Sequence, residues 1–525
     1  MGLWNLYFAA KLYLCATGQV APKWLFNILF ASVLLFPLRR RWLRLLRQCL
    51  ALPAGAALLY WESNLPPFAR VASQFSNLQS FTPAYMLELS QRVISHQMIV
   101  TAMAALIAYA IVNRWVRVST FVLLALLVVP MWQQVGGIAA GTAATRIAGG
   151  TAGTPGPAGV DSAAVAGDKD AQLAGFREQE SKRQVSFGKL AAAPDAQFDI
   201  VVLHICSLAW DDLDVAKARN HPLLSRFDFL FKDFSSAASY SGPAAIRLLR
   251  ASCGQQSHQA LYSQAPAQCH LFEDLALAGF DVKMLMNHDG HFDNFLDVVQ
   301  KEIGVPDVKP EPTAGLPVAM RAFDNSPILD DYAVLENWYK GRLAQKGGPM
   351  ALYYNTVSLH DGNRLPGQKL TSLESYPLRV NKLLGDVDKL IELIGRSGRK
   401  AVVVFVPEHG AALRGDENQI AGMREIPSPR IVHVPVGVKL VGLPAPAAGQ
   451  PLTIEAPSSF LALVQLLSNI VADSPFRPGA PALPQYANEL PQTQMIGEGD
   501  DTVMLRRRND YVVRGADGIW LEGKL

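Results

Sequence analysis

The run AVVVFV at 401–406 reads as a buried strand, and just beyond it a carboxylate and an imidazole stand side by side, Glu408 and His409. Both groups are costly to take out of water unless something binds them. Three more apolar runs end on residues able to do chemistry. FDIVVLHI (198–205) ends at Cys206, and MALYYNTVSL (350–359) ends at His360 and Asp361. FDFLFKDF (227–234) leads through a short loop to Ser241, ahead of the helical GPAAIRLLRAS with Pro243 in its first turn. Singly, each has an ordinary explanation: Cys206 as a small buried hydrophobe, Ser241 as a helix N-cap, His360 as a loop cap. Four strand ends that carry Cys, Ser, His and Glu-His point instead to one shared site.

The elements that must position these residues begin at about 196. Strands alternate there with helices. FDVKMLM (280–286) and VPVGVKLVG (434–442) add strands, and SFLALVQLLSNIV adds a helix. SYPLRVNKLLGDVDKLIELIGRSGR reads as a long amphipathic helix closed by Gly398. The tail DTVMLRRRNDYVVRGADGIWLE reads as a hairpin turning at Gly515–Gly518. This alternation predicts an α/β domain with a largely parallel sheet covered by helices. Such folds bind ligands outside the carboxyl ends of their strands, which is where the reactive residues stand.

Half of the 525 residues are hydrophobic, and the apolar excess sits in the first 136. Five segments, about 4–20, 24–38, 45–62, 96–113 and 118–135, read as membrane spans, the first interrupted by Lys11. No small-residue cleavage site follows the first segment, so it does not read as a removed signal peptide. Arginines at 39–47 and 113–117 place the loops that hold them in the cytoplasm. The loop at about 63–95 and everything after 136 then lie outside, in the periplasm of a bacterium. Residues 137–195, rich in Gly, Ala, Thr and Pro, read as a flexible linker with a short helix near its end. The expected organisation is a membrane domain at 1–136, the linker, and a catalytic domain at 196–525. A net charge of +3 at this length gives no support for nucleic-acid binding.

Of five cysteines, Cys15 and Cys49 lie in the apolar segments. Cys253 and Cys269 are close in sequence and flank a polar loop, so they form the expected disulfide. Cys206 is left over, a thiol that an oxidising compartment tolerates only when it is buried or ligated.

HICSLAWDDL, SYSGPAAIRLLRASCGQ, LHDGN, VPEHGAALRGD and REIPSP closely resemble the bacterial cellulose phosphoethanolamine transferases, membrane enzymes of the alkaline-phosphatase superfamily. The resemblance runs through the C-terminal half, and the five-segment layout matches with weaker motifs. It implies an inner-membrane, multi-pass enzyme with a periplasmic catalytic domain of alkaline-phosphatase-like fold. It implies transfer of phosphoethanolamine from phosphatidylethanolamine to glucose 6-hydroxyls of nascent cellulose, with the cellulose synthase complex as partner. By the same resemblance one zinc ion is held by Cys206, Ser241, Glu408 and His409, and Tyr240, His360 and Arg424 belong to the site with the nucleophile Ser241. These residue types suit the chemistry: thiolate, imidazole and carboxylate are good zinc ligands, a metal activates a hydroxyl nucleophile, and arginine pairs with phosphate. Lipid A-modifying relatives carry a carboxylate where this chain has Cys206 and a threonine where it has Ser241, which favours the cellulose enzyme. The competing readings are a lipid A or phosphoglycerol transferase and a non-catalytic scaffold of the synthase complex.

Overall fold

The computed structural model describes residues 2–16, 20, 22–63, 80–93, 96–131, 162–345, 347–416, 419–443, 450–508 and 510–524. The chain forms two compact units, Met1–Ser80 with Leu89–Gly159, and Phe81–Glu88 with Val160–Leu525. The first part of the expected linker, 137–161, lies outside the described residues. The rest, 162–195, opens with a helix and is irregular after it. Ser162–Ser181 is a helix, and Leu173 and Phe176 bury against the C-terminal strands with Ile496, Val512 and Trp520. Composition alone suggested a linker there because the two apolar anchors are sparse; their partners lie more than 300 residues further on.

In the first unit, helices Trp4–Ala16, Trp24–Leu35, Arg41–Glu62, His96–Trp115 and Val118–Met131 coincide with the five apolar segments. Lys11 is buried, and its ammonium is met by Glu62 and by Asn27 Oδ1 at 2.5 Å. That pairing offsets the cost of burying the charge. Among the described residues, Gln97–Trp115 alone is long and apolar enough to cross a membrane. Trp24–Leu35 and Val118–Met131 are apolar but shorter, and Arg41–Glu62 carries Arg41, Arg44, Arg47 and Glu62.

The second unit is built on β1 (Asp199–Ile205), β2 (Phe229–Ser235), β3 (Asp281–Met286), β4 (Val318–Arg321), β5 (Pro327–Leu329), β6 (Met350–Thr356), β7 (Ala401–Pro407), β8 (His433–Val441) and β9 (Leu452–Ile454). Seven of them form one sheet in the order β3-β6-β1-β7-β8-β2-β9, and β4 and β5 pair in a small ribbon. β3, β6, β1 and β7 pair parallel, as do β2 and β9. β8 is antiparallel to both neighbours, the one reversed strand of the sheet. The central strands are buried on both faces and read as unbroken apolar runs for that reason.

Side chains alternate between the two faces. Ile200, Val202, Val402 and Val404 face one core with Leu248, Leu271 and Leu466; Val201, Leu203, Val403 and Phe405 face the other with Val380, Leu384 and Val334. Helix Ser372–Ser397 opens with a capping box between Thr371 and Glu374 and ends at Gly398, whose φ of 75° is left-handed. The C-terminal strands are β10 (Ile496–Glu498), β11 (Val503–Arg506), β12 (Asp510–Arg514) and β13 (Trp520–Lys524), an antiparallel sheet in chain order. The expected hairpin is its β12–β13 part.

Candidate active site

β1 and β7 lie side by side in parallel register, with Ile205 opposite Pro407, so they deliver Cys206 and Glu408 to the same edge of the sheet. Glu408 N–H donates to the Ile205 carbonyl at 2.8 Å, and Leu208 N–H donates to the His409 carbonyl at 2.6 Å. Ser207 takes the left-handed φ of 62°, a turn that costs about 1 kcal/mol in a residue with a Cβ. Ser241 is the first residue of helix Ser241–Leu249 and is not its cap; Tyr240 holds the cap position without a side-chain bond. The Ser241 hydroxyl lies 3.3 Å from Cys206 Sγ and 3.4 Å from His409 Nε2.

Cys206, Glu408 and His409 are fully buried, and their donor atoms lie within 4.8 Å of one another. Burial pushes the Cys206 thiol up to about 12, with the Glu408 charge adding to it, and pushes the Glu408 carboxyl up to about 7. Burial also holds the His409 imidazole well below its ordinary value. All three are driven toward neutrality; a bound cation would reverse this for the thiol and the carboxyl, and the neutral imidazole is already the form that binds one. Glu408 Oε2 lies 3.7 Å from His409 Nε2 and has no hydrogen-bond partner among the described residues. His409 Nδ1 lies 2.8 Å from the Gly410 carbonyl, which takes its proton and leaves Nε2 as the lone-pair atom. Ligands at about 2.0–2.3 Å from one tetrahedral ion stand roughly 3.3–3.7 Å apart. The spacings of 3.3, 3.4 and 3.7 Å around Ser241, Cys206, His409 and Glu408 fit such an ion.

Gly410 admits no side chain: a Cβ there would meet Ala209 Cβ at 2.7 Å and Asp212 Oδ2 at 3.0 Å. Arg424 reaches the same centre. Its guanidinium donates to Ser207 Oγ at 3.0 Å and stacks 5.4 Å over the Tyr240 ring, whose hydroxyl donates to Glu425 at 2.8 Å. His360 stands on the loop after β6, its Nδ1 2.7 Å from the Asp361 carbonyl and its ring 5.4 Å from Phe323. Burial, helped by the Arg424 charge, lowers His360 to about 4. Cys206, Ser241, Glu408 and His409 thus share one centre, with Arg424 and Tyr240 against it and His360 within reach of the Arg424 field. Cys253 and Cys269 form the expected disulfide away from it.

Reading the sequence missed three neighbours. Asn355 on β6 donates to Glu408 Oε1 at 2.6 Å and accepts from His288 Nε2 at 2.8 Å. His204 on β1 lies beneath, with Nδ1 3.7 Å from Glu408 Oε1. A polar residue inside an otherwise apolar strand, as at His204 and Asn355, was the available signal.

A mostly parallel α/β sheet with a helix-borne hydroxyl set among thiol, carboxylate and imidazole at its carboxyl edge defines a class of proteins suited to nucleophilic group transfer at a metal centre. Family models described as the C-terminal and N-terminal domains of cellulose biosynthesis protein BcsG match residues 157–520 and 4–131. Cellulose biosynthesis protein BcsG of Escherichia coli (strain K12) is 39% identical over 539 residues, covering 99% of this chain and 95% of that protein. Its Salmonella typhimurium counterpart is 38% identical over 540 residues, with the same coverage. The chain belongs to the BcsG family of cellulose biosynthesis proteins. Among solved structures, an alkaline phosphatase superfamily protein from Vibrio parahaemolyticus is 13% identical, covers 67% of this chain and 87% of its own, and has a TM-score of 0.48. The periplasmic domain of phosphoethanolamine transferase EptC from Campylobacter jejuni is also 13% identical, covers 58% and 99%, and has a TM-score of 0.39. Such distant likenesses assign no reaction.

Proposed function

We propose that this chain is a zinc-dependent transferase that moves phosphoethanolamine from phosphatidylethanolamine to 6-hydroxyls of cellulose through a covalent Ser241 intermediate. The observation that carries the reading is the Ser241 hydroxyl at 3.3 Å from Cys206 Sγ and 3.4 Å from His409 Nε2, a nucleophile inside a metal-donor set. Family membership and the motifs around these residues support the acceptor and the transferred group. Cys206, Ser241, Glu408 and His409 would hold the zinc ion, which when bound supplies the charge that favours an ionised serine hydroxyl at neutral pH. Ser241 Oγ attacks phosphorus, the bond to the diacylglycerol oxygen breaks, and the diacylglycerol leaves as the alcohol, taking up the proton that the serine hydroxyl gave up. The glucose 6-hydroxyl then attacks phosphorus, gives up its proton, and the bond to Ser241 Oγ breaks. His360, lowered to about 4, is neutral at pH 7 and suited to accept that proton. Arg424 offsets charge on the phosphate oxygens, and Tyr240 holds its guanidinium flat.

The test is intact-mass spectrometry of the full chain incubated with phosphatidylethanolamine vesicles and no acceptor. A phosphoethanolamine adduct on Ser241 is expected, absent from Ser241→Ala and discharged by cello-oligosaccharide. An adduct on another residue, or transfer by Ser241→Ala, overturns the mechanism. Discharge onto lipid A in place of the oligosaccharide overturns the acceptor alone.

A further inference from the structure

The Phe81–Glu88 segment lies between apolar helices in the sequence, yet it belongs to the compact unit of Val160–Leu525. Thr82 N–H donates to the Phe323 carbonyl at 2.9 Å, and Phe81 and Tyr85 pack on the Phe323 ring at 5.1 and 6.0 Å. The same Phe323 ring packs against His360 at 5.4 Å. Tyr85 is buried, and its hydroxyl donates to Asp361 Oδ2, the residue next to His360, at 2.9 Å. Gly362 follows in left-handed conformation with a φ of 80°, and a Cβ there would meet the Tyr85 ring at 3.0 Å. Glu88, only 5% exposed, accepts from Ser372 N–H at 3.0 Å and pairs with Arg364 at 3.0 Å. A carboxylate is not buried without such partners, so this is a built contact on both flanks of the His360 loop. From the inner side, Arg379 donates to the carbonyls of Ser358 at 2.8 Å and His360 at 3.1 Å. The loop is therefore clamped between Arg379 beneath and the Phe81–Glu88 segment above.

We propose that Tyr85 and Glu88 are positioning residues for His360, so that a segment from the N-terminal half completes the transfer site of the C-terminal half. This rests on the reading of His360 as the proton-transfer group. Misplacing such a group by a fraction of an ångström slows the step it serves without touching the nucleophile.

The test uses the full chain in phosphatidylethanolamine vesicles and times two half-reactions, formation of the Ser241 adduct and its discharge onto a cello-oligosaccharide. Tyr85→Phe should slow by about tenfold the same half-reaction that His360→Ala slows, with metal content and melting temperature kept. Tyr85→Phe combined with His360→Ala should be no slower than His360→Ala alone, since residues acting through one group are not additive. If Tyr85→Phe lowers the melting temperature, Glu88→Gln, which keeps an acceptor for Ser372 N–H, takes its place with the same expected pattern. Parent rates in a folded Tyr85→Phe or Glu88→Gln variant, or a further loss in the double variant, overturn the proposal. If His360→Ala itself transfers at the parent rate, the catalytic reading of His360 falls and takes this one with it; a slow His360→Ala beside an unaffected Tyr85→Phe overturns this one alone.

Discussion

Asn355 shows what one side chain does for its neighbours. It donates to Glu408 Oε1 at 2.6 Å and accepts from His288, whose Nδ1 is in turn occupied by Gly290 N–H at 3.1 Å. The chain His288–Asn355–Glu408 fixes which carboxylate oxygen faces the donor cluster. Asn355→Leu should therefore weaken zinc binding about tenfold to a hundredfold with little change in fold, read by competition with a chromogenic chelator; unchanged affinity would show that Glu408 needs no such support. Ser241→Ala should leave the melting temperature unchanged. As first helical residue and not the cap, Ser241 contributes no capping bond to lose. A drop equivalent to about 1 kcal/mol would return it to an ordinary structural role. The four donors were legible because three follow strand ends and Ser241 opens a helix, each inside a recognisable motif. Asn355 was not, because nothing periodic marks a hydrogen bond to a carboxylate 53 residues further on.

Among the elements, the sheet strands announced themselves by unbroken apolar runs, and Ser372–Ser397 by its period and its Gly398 stop. Short elements escaped: β4, β5, β9 and β10 are three or four residues long, and tertiary pairing decides them more than propensity does. A short helix was expected near the linker's end, but the extent of Ser162–Ser181 escaped because its anchors, Leu173 and Phe176, meet partners contributed by the far end of the chain. The Cys253–Cys269 disulfide spans a sequence separation of 16 just behind the helix that carries Ser241. Replacing both cysteines with alanine should cost about 3 kcal/mol in the chain-entropy account. Denaturant titration checks this, and zinc content should not change, since neither sulfur belongs to the donor cluster. Loss of metal with the disulfide would mean that the helix start moves when the staple is cut.

At the scale of the whole molecule, the expected topology and the compact units bear on the same loop. The arginine pattern puts the loop at about 63–95 on the same side of a membrane as the chain after 136. Phe81–Glu88 and Val160–Leu525 form one compact unit, so in a membrane they would have to share a side. A phosphatase reporter joined near residue 140 should be active in the periplasm, and a fluorescent reporter that folds only in the cytoplasm should stay dark. The reverse pattern would break the topology and the proposed access to lipid donor and polymer. The membership of Phe81–Glu88 in the C-terminal unit was invisible in the sequence, where a short polar-apolar stretch between apolar helices reads as a plain connection. It also sets an order of events during synthesis. The bond from Tyr85 to Asp361 joins residues 276 apart, and that from Glu88 to Ser372 residues 284 apart. A ribosome releases the early segment long before its partners exist, so the clamp on the His360 loop can close only after the chain has emerged past Arg379. Glu408 and His409 come later still in the chain, so the segment and the His360 loop can meet before the cluster of Cys206, Glu408 and His409 is complete.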